Sequence, residues 1–190
     1  MAQQWQPNMQ ELEAIVRLLQ STTSPDNNVQ REVVSKIKEF KANPEFSMYL
    51  SFVLSNCTAE QVGGDYVRFQ AGVVLKTIVS RSEAWRSLDP NIRNYVVAQL
   101  LTPRVIGDAA FNVRKTVVKI LAKIVLRMGS YELRSCSSTL VGMMTQSATE
   151  NSVSLLDGSM HCLSLLCEDC GHELLHYDDK PFNVLVPLLV

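Results

Sequence analysis

Val67-Arg68-Phe69-Gln70-Ala71-Gly72-Val73-Val74-Leu75-Lys76-Thr77-Ile78 holds apolar or small residues at offsets 0, 4, 8 and 11. At about 100° per residue these offsets fall within roughly 80° of one another, so the stretch is one helix with one apolar stripe. The same spacing occurs three more times. It reads Val29-Gln30-x-x-Val33-x-x-x-Ile37-x-x-Phe40 before this copy, and Val113-Arg114-x-x-Val117-x-x-x-Leu121-x-x-Ile124 after it. A weaker fourth copy is Leu155-x-x-x-Ser159-x-x-x-Leu163-x-x-Leu166. Successive copies start 38, 46 and 42 residues apart. A helix recurring at about this period is the mark of an α-solenoid, whose repeats bury their apolar stripes against one another.

Each repeat helix is preceded by a second amphipathic segment. The segments are 8–20 with Leu12, Ile15, Val16 and Leu19, and 44–56 with Phe46, Tyr49, Leu50, Val53 and Leu54. Next come 89–101 with Ile92, Val96, Leu100 and Leu101, and 131–146 with Leu133, Leu140, Met143 and Met144. The unit is therefore helix A, turn, helix B, and the period is that of HEAT or armadillo arrays. The spacing predicts an all-α superhelix of A/B pairs, with B helices over 26–41, 65–81, 111–128 and 152–170. The repeats run over 8–41, 44–81, 89–128 and 131–170, and a fifth starts at 181–190. Ala71 and Ser159 are small enough for close approach by a neighbouring helix. Ser24-Pro25-Asp26, Asn43-Pro44-Glu45 and Asp89-Pro90-Asn91 each read as a capping side chain followed by proline at the first helical position, where its missing N–H costs nothing. The segments 61–65 and 102–110 read as turns. No strand pattern competes, because the valine-rich segments keep helical spacing.

Eighteen basic residues stand against 19 acidic ones. This balance predicts neither nucleic acid nor a membrane surface as partner. The opening residues are polar and uncharged, and lysines interrupt the most apolar helix at Lys119 and Lys123, so neither a signal peptide nor a spanning segment is expected. Five cysteines on helical segments fit reduced thiols rather than a disulfide frame. The apolar run from Pro181 to Val190 stops mid-pattern without a polar cap, which leads us to expect an amino-terminal part of a longer array.

Catalytic and metal chemistry find little support. His161, Cys162, Cys167, Cys170, His172 and His176 are metal-ligating types, but zinc needs four of them converging tetrahedrally. Cys162 and Cys170 instead lie near the apolar stripe, where buried thiols are ordinary core material. The redox reading of Cys167-Glu168-Asp169-Cys170 wants a helix start that lowers a thiol pKa, and this motif ends a helix. Gly63-Gly64 is too short for a phosphate cradle. We expect no metal, no cofactor and no enzyme activity. Trp5 and Trp85 read as packing residues.

The face opposite the stripe is the binding candidate. Offsets 2, 6, 9 and 13 point there. They are Arg31, Ser35 and Lys38 on the first B helix, and Phe69, Val73, Lys76 and Ser80 on the second. On the third they are Lys115, Lys119, Ala122 and Leu126, and on the fourth Asp157, His161, Ser164 and Glu168. In HEAT arrays the B helices line the concave side, and this row passes from basic to acidic along the chain.

The ordered set of motifs resembles the importin-β family of nuclear transport receptors. Trp5-x-Pro7 opens the first helix, and Ser24-Pro25-Asp26 leads to Gln30-Arg31. Pro44-x-Phe46-x-x-Tyr49-Leu50-x-Phe52-Val53-Leu54 forms the third helix, and the family's Leu-Lys-Asn reads Leu75-Lys76-Thr77 here. Cys167-Glu168-Asp169 ends the fourth B helix, and Asp178-Asp179-Lys180-Pro181 leads to Pro187. Within the family the set is similar to the receptors that import proteins bearing proline-tyrosine nuclear signals. The resemblance implies that the concave B-helix face recognises the GTPase Ran in its GTP state, with Lys76 the leading contact. Through the full-length receptor it implies nuclear-localisation-signal cargo on a carboxy-terminal arch, contact with nucleoporins, and shuttling between cytoplasm and nucleus. The alternative is a generic HEAT or armadillo scaffold subunit.

Overall fold

The computed structural model describes residues 5–128 and 130–169. Among them are eleven α-helices and no strand. They are α1 (Met9–Gln20), α2 (Asn27–Phe40), α3 (Phe46–Ser55), α4 (Ala59–Val62), α5 (Asp65–Ser80), α6 (Ser82–Arg86), α7 (Pro90–Leu100), α8 (Pro103–Ile106), α9 (Phe111–Met128), α10 (Ser130–Glu150) and α11 (Val153–Asp169). The all-α expectation holds. The apolar run 181–190, with Cys170, His172 and His176, lies outside the described residues.

Long-range hydrogen bonds show the stacking directly. Asn8 N donates to the Tyr49 hydroxyl, 41 positions away, and Gln20 Nε2 to the Val62 carbonyl, 42 away. Asn56 Nδ2 donates to Gln99 Oε1, 43 away, and Arg114 Nε to Asp157 Oδ2, also 43 away. Arg127 Nη2 reaches the Ser80 carbonyl, 47 away. Bonded partners are thus one sequence period apart, as they must be when each repeat touches only its neighbours.

The stripes form the core. Val113, Val117, Leu121 and Ile124 are all buried, as are Leu155, Ser159, Leu163 and Leu166. In α5, Val67, Ala71 and Leu75 are buried and Ile78 is half-buried. The first copy differs. Only Val33 of α2 is buried, while Val29, Ile37 and Phe40 are half-buried and Val34 is 65% exposed. Among the described residues α2 packs on α1 and the turn after α1, and not closely on α5. The third helix is the opposite case: α3 packs against α1, α5, α7 and α8, and nine of its ten residues are buried. Its serines stay satisfied by donating to carbonyls of their own helix, Ser51 Oγ to Met48 and Ser55 Oγ to Ser51.

Caps match the sequence in part. Asp89 accepts from Asn91 N with Pro90 opening α7. At the second helix the cap is Asp26, which accepts from Asn28 N at 2.7 Å, and Pro25 stands before the helix. Ser24 Oγ only accepts from Asp26 N, within the turn. The third helix begins at Phe46, later than its proline suggests, because residues 43–48 first wind through i→i+3 bonds from Phe46 N to Asn43 O and Met48 N to Glu45 O. The predicted turn 102–110 contains α8, opened by Pro103, and the predicted turn 61–65 overlaps the end of α4 and the start of α5.

Two glycines mark close crossings. A Cβ at Gly72 would lie 2.7 Å from Thr116 Cγ2, and one at Gly158 would overlap the backbone carbonyl of Ile106. Backbone cannot rotate away as a side chain can. Gly158→Ala is therefore expected to cost about 1–3 kcal/mol through overpacking, read as a lower urea midpoint. An unchanged midpoint would mean that α11 does not seat on α8 this closely.

The arginine after the leading valine joins repeats in the second and third copies. Buried Arg68 donates from Nη2 to the Leu54 carbonyl at 3.0 Å and forms an ion pair with buried Asp108. Asp108 Oδ1 also accepts from Ala110 N, and the Asp108 carbonyl accepts from Arg114 Nη1. Gln30, the counterpart on α2, bonds only the carbonyls of Thr22 and Ser24 within its own repeat.

Candidate protein-binding face

The B helices α5, α9 and α11 form one continuous layer, α5 against α9 and α9 against α11. Gly72 faces Thr116, and further along the Ser80 carbonyl meets Arg127, so α5 and α9 run parallel. Parallel B helices place their outward residues in successive rows.

Most of the predicted row reaches solvent. Arg31, Ser35 and Lys38 are exposed on α2. On α5, Val73 and Ser80 are exposed, and Phe69 and Lys76 are half-buried. On α9, Lys115 is exposed, with its ammonium 5.5 Å from the centre of the Phe111 ring, and Lys119 is half-buried. On α11, Asp157, Ser164 and Glu168 are exposed and His161 is half-buried.

Several of these side chains have internal partners. Asp157 accepts from Arg114 at 3.0 Å and so joins two repeats. Ser164 Oγ donates to Glu168 Oε1 at 3.0 Å. Two row positions depart from expectation: Ala122 is buried and Leu126 half-buried. A helical wheel distinguishes only the side facing helix A from the side opposite. α9 is flanked by both α5 and α11, so its free arc is narrower than half a turn.

The structure adds residues the row omitted. Tyr66 is 42% exposed and lies beside Phe69, ring centres 6.4 Å apart, with its hydroxyl accepting from Gln70 Nε2. Phe111 is 56% exposed at the start of α9. Both precede the first stripe residue of their helix, a position the stripe template does not score. Tyr66, Phe69 and Val73 make an apolar patch on α5, and Lys76 lies one turn beyond Val73.

Thiols and tryptophans are structural. Cys57, Cys136 and Cys162 are buried, and desolvation pushes the Cys162 thiol well above its ordinary pKa. Desolvation also raises Cys57 and half-buried Cys167. Among the described residues no cluster of histidine, cysteine and carboxylate side chains could hold a metal ion. No described helix is long and apolar enough to cross a membrane. Trp5 packs edge-on against Tyr49 and Tyr95, each at 5.0 Å, and Trp85 is fully buried.

Comparison with known proteins gives a consistent neighbourhood. Residues 35–102 match the importin-beta N-terminal domain. The chain is 27% identical over 191 residues to Transportin of Dictyostelium discoideum, covering 98% of this chain and 19% of that protein. It is 29% identical over 189 residues to Transportin-1 of Homo sapiens, covering 98% and 20% respectively. With Transportin-1 of Oryza sativa subsp. japonica the identity is 28% over 193 residues, covering 98% and 20%. The chain thus spans about a fifth of the length of the curated relatives it matches.

Proposed function

Because the chain belongs to the importin-β family, we propose that it serves in a nuclear transport receptor and that its B-helix face recognises Ran in the GTP state. The observation that carries this reading is the apolar patch of Tyr66, Phe69 and Val73 on α5, with Lys76 one turn beyond it and Lys38 and Lys119 on the flanking B helices. Protein interfaces commonly pair an apolar centre with a charged rim. The matched segment runs from within α2 to the end of α7 and includes this patch. We read the repeats as 8–41, 44–81, 89–128 and 131–170, and the start of a fifth expected at 181–190 lies outside the described residues. Cargo, nucleoporins and movement between cytoplasm and nucleus belong to the whole receptor. GTP hydrolysis is the partner's chemistry.

Titration with Ran-GTP and Ran-GDP, using a receptor long enough to bind, tests the reading. Preference for the GTP form is expected, and its absence would remove the function. Lys76→Glu is expected to weaken Ran-GTP binding by about 1 kcal/mol at this half-buried position. Folding should change little, because the side chain faces away from the stripe. Equal affinity for both proteins would take Lys76 out of the site.

A further inference from the structure

The B helices gather more positive charge than partners among the described residues neutralise. Gly72 of α5 faces Thr116 of α9 across their seam. One helical turn along α5 from that contact is Lys76. One and two turns along α9 are Lys119 and Lys123. Residues at i, i+3, i+4 and i+7 share a helix face, so all three lysines are carried along the same seam. The ends of α2 and α5 repeat the pattern. Lys41 Nζ donates to Thr77 Oγ1 at 2.9 Å, and Arg81 lies one turn beyond Thr77. Partial burial and the nearby Arg81 charge together hold Lys41 below the ordinary lysine pKa.

None of these five cations has an ion-pair partner among the described residues. The α2 carboxylates Glu32 and Glu39 line a groove with Arg17 and Lys36 on the other flank of that helix, and Glu32 is engaged by Lys36. On α6, exposed Glu83 makes no ion pair among the described residues. The α5–α9 seam and the space between the ends of α2 and α5 therefore each hold like charges, on a chain whose overall charge is only −1.

We propose that Lys41 and Arg81 between the ends of α2 and α5, and Lys76, Lys119 and Lys123 along the α5–α9 seam, form a binding strip for an extended acidic peptide segment of a partner protein. Neighbouring helix axes lie about 8–10 Å apart. A chain in the extended polyproline II form advances about 3.1 Å per residue and turns once every three residues, so every third side chain shares a face. A peptide crossing the B helices thus meets the two clusters with carboxylates about three residues apart. The overall charge gives no long-range attraction for a nucleic acid, so recognition is local and fits side-chain carboxylates. The strip shares Lys76 and Lys119 with the row proposed for Ran and extends past it through Lys41, Arg81 and Lys123, which lie outside that row.

The test is fluorescence anisotropy with the 190-residue chain and a labelled peptide bearing glutamate at every third position. A glutamine counterpart and a single-stranded DNA of equal charge serve as controls. Saturable, salt-sensitive binding of the glutamate peptide is expected, with weaker binding of both controls. Lys41→Gln and Lys123→Gln should each weaken it about two- to fivefold, the loss of one partly exposed charge contact. Circular dichroism should be unchanged. Equal binding of the glutamate and glutamine peptides, wild-type affinity in both variants, or tighter binding of the DNA would each overturn the proposal. A variant that lost helicity would be replaced by Lys41→Arg, which keeps the charge and should keep the binding. Because Lys41 and Lys123 lie outside the row proposed for Ran, these variants test the strip separately from the Ran titration.

Discussion

Arg68→Ala is expected to destabilise the fold by about 3–5 kcal/mol, the cost of leaving one member of a buried ion pair without its partner. Arg68 and Asp108 are 6% and 8% exposed, so water cannot replace the guanidinium. Three attachments go at once: the pair with Asp108, the contact with Asp65, and the bond to the Leu54 carbonyl. Asp108 also holds the turn into α9 through Ala110 N and Arg114. The damage should therefore reach two repeats. Urea unfolding followed by circular dichroism measures it, and a loss below about 1 kcal/mol would show the pair to be solvated. The double variant Arg68→Met/Asp108→Leu should recover much of the loss, since an apolar replacement removes both desolvation penalties.

Leu75→Ala and Leu121→Ala should each cost about 2–5 kcal/mol, from lost transfer energy plus the cavity left behind. Both side chains are fully buried. Leu75 lies on α5, which packs against both α3 and α9, so neither side collapses easily into the gap. Ile37 holds the same register on α2 and is only half-buried. Ile37→Ala should cost less than half as much. Thermal melts of the three variants give the ranking. Equal losses at Ile37 and Leu75 would mean that α2 is packed like an interior repeat. The Leu75→Ala and Leu121→Ala losses should not add, because α5 and α9 share an interface.

The existence, type and order of the long helices follow from the spacing of apolar residues. Burial at offsets 0, 4, 8 and 11 dictates helix and stripe together, and a stripe that cannot be buried within one pair requires a neighbouring pair. The residue types along the B-helix row were also legible, since they need only the helical period. The role of the position after each leading valine was not. Gln30, Arg68 and Arg114 occupy one register, yet Arg68 is buried on Asp108, Arg114 spans to Asp157, and Gln30 stays within its own loop. Those partners lie about 40 residues apart or in turns whose path no local pattern specifies.

The amino-acid sequence by itself determined the all-α class, the A/B alternation and which face of each helix is apolar, because these depend on periodicity within about a dozen residues. Tertiary packing alone decided how much of the opposite face stays free. On α9 it removed Ala122 from solvent, because helices flank it on both sides. On α2 it left Val34 exposed, although its counterpart Gly72 on α5 is covered by α9, because α2 packs on α1 and the turn after α1 rather than closely on α5. It also set Lys76 along the same seam as Lys119 and Lys123, since the register between parallel helices is fixed by the close approach of Gly72 to Thr116. A repeat pattern names the surfaces that must meet, and the side chains at the contact decide how far one helix slides along the next.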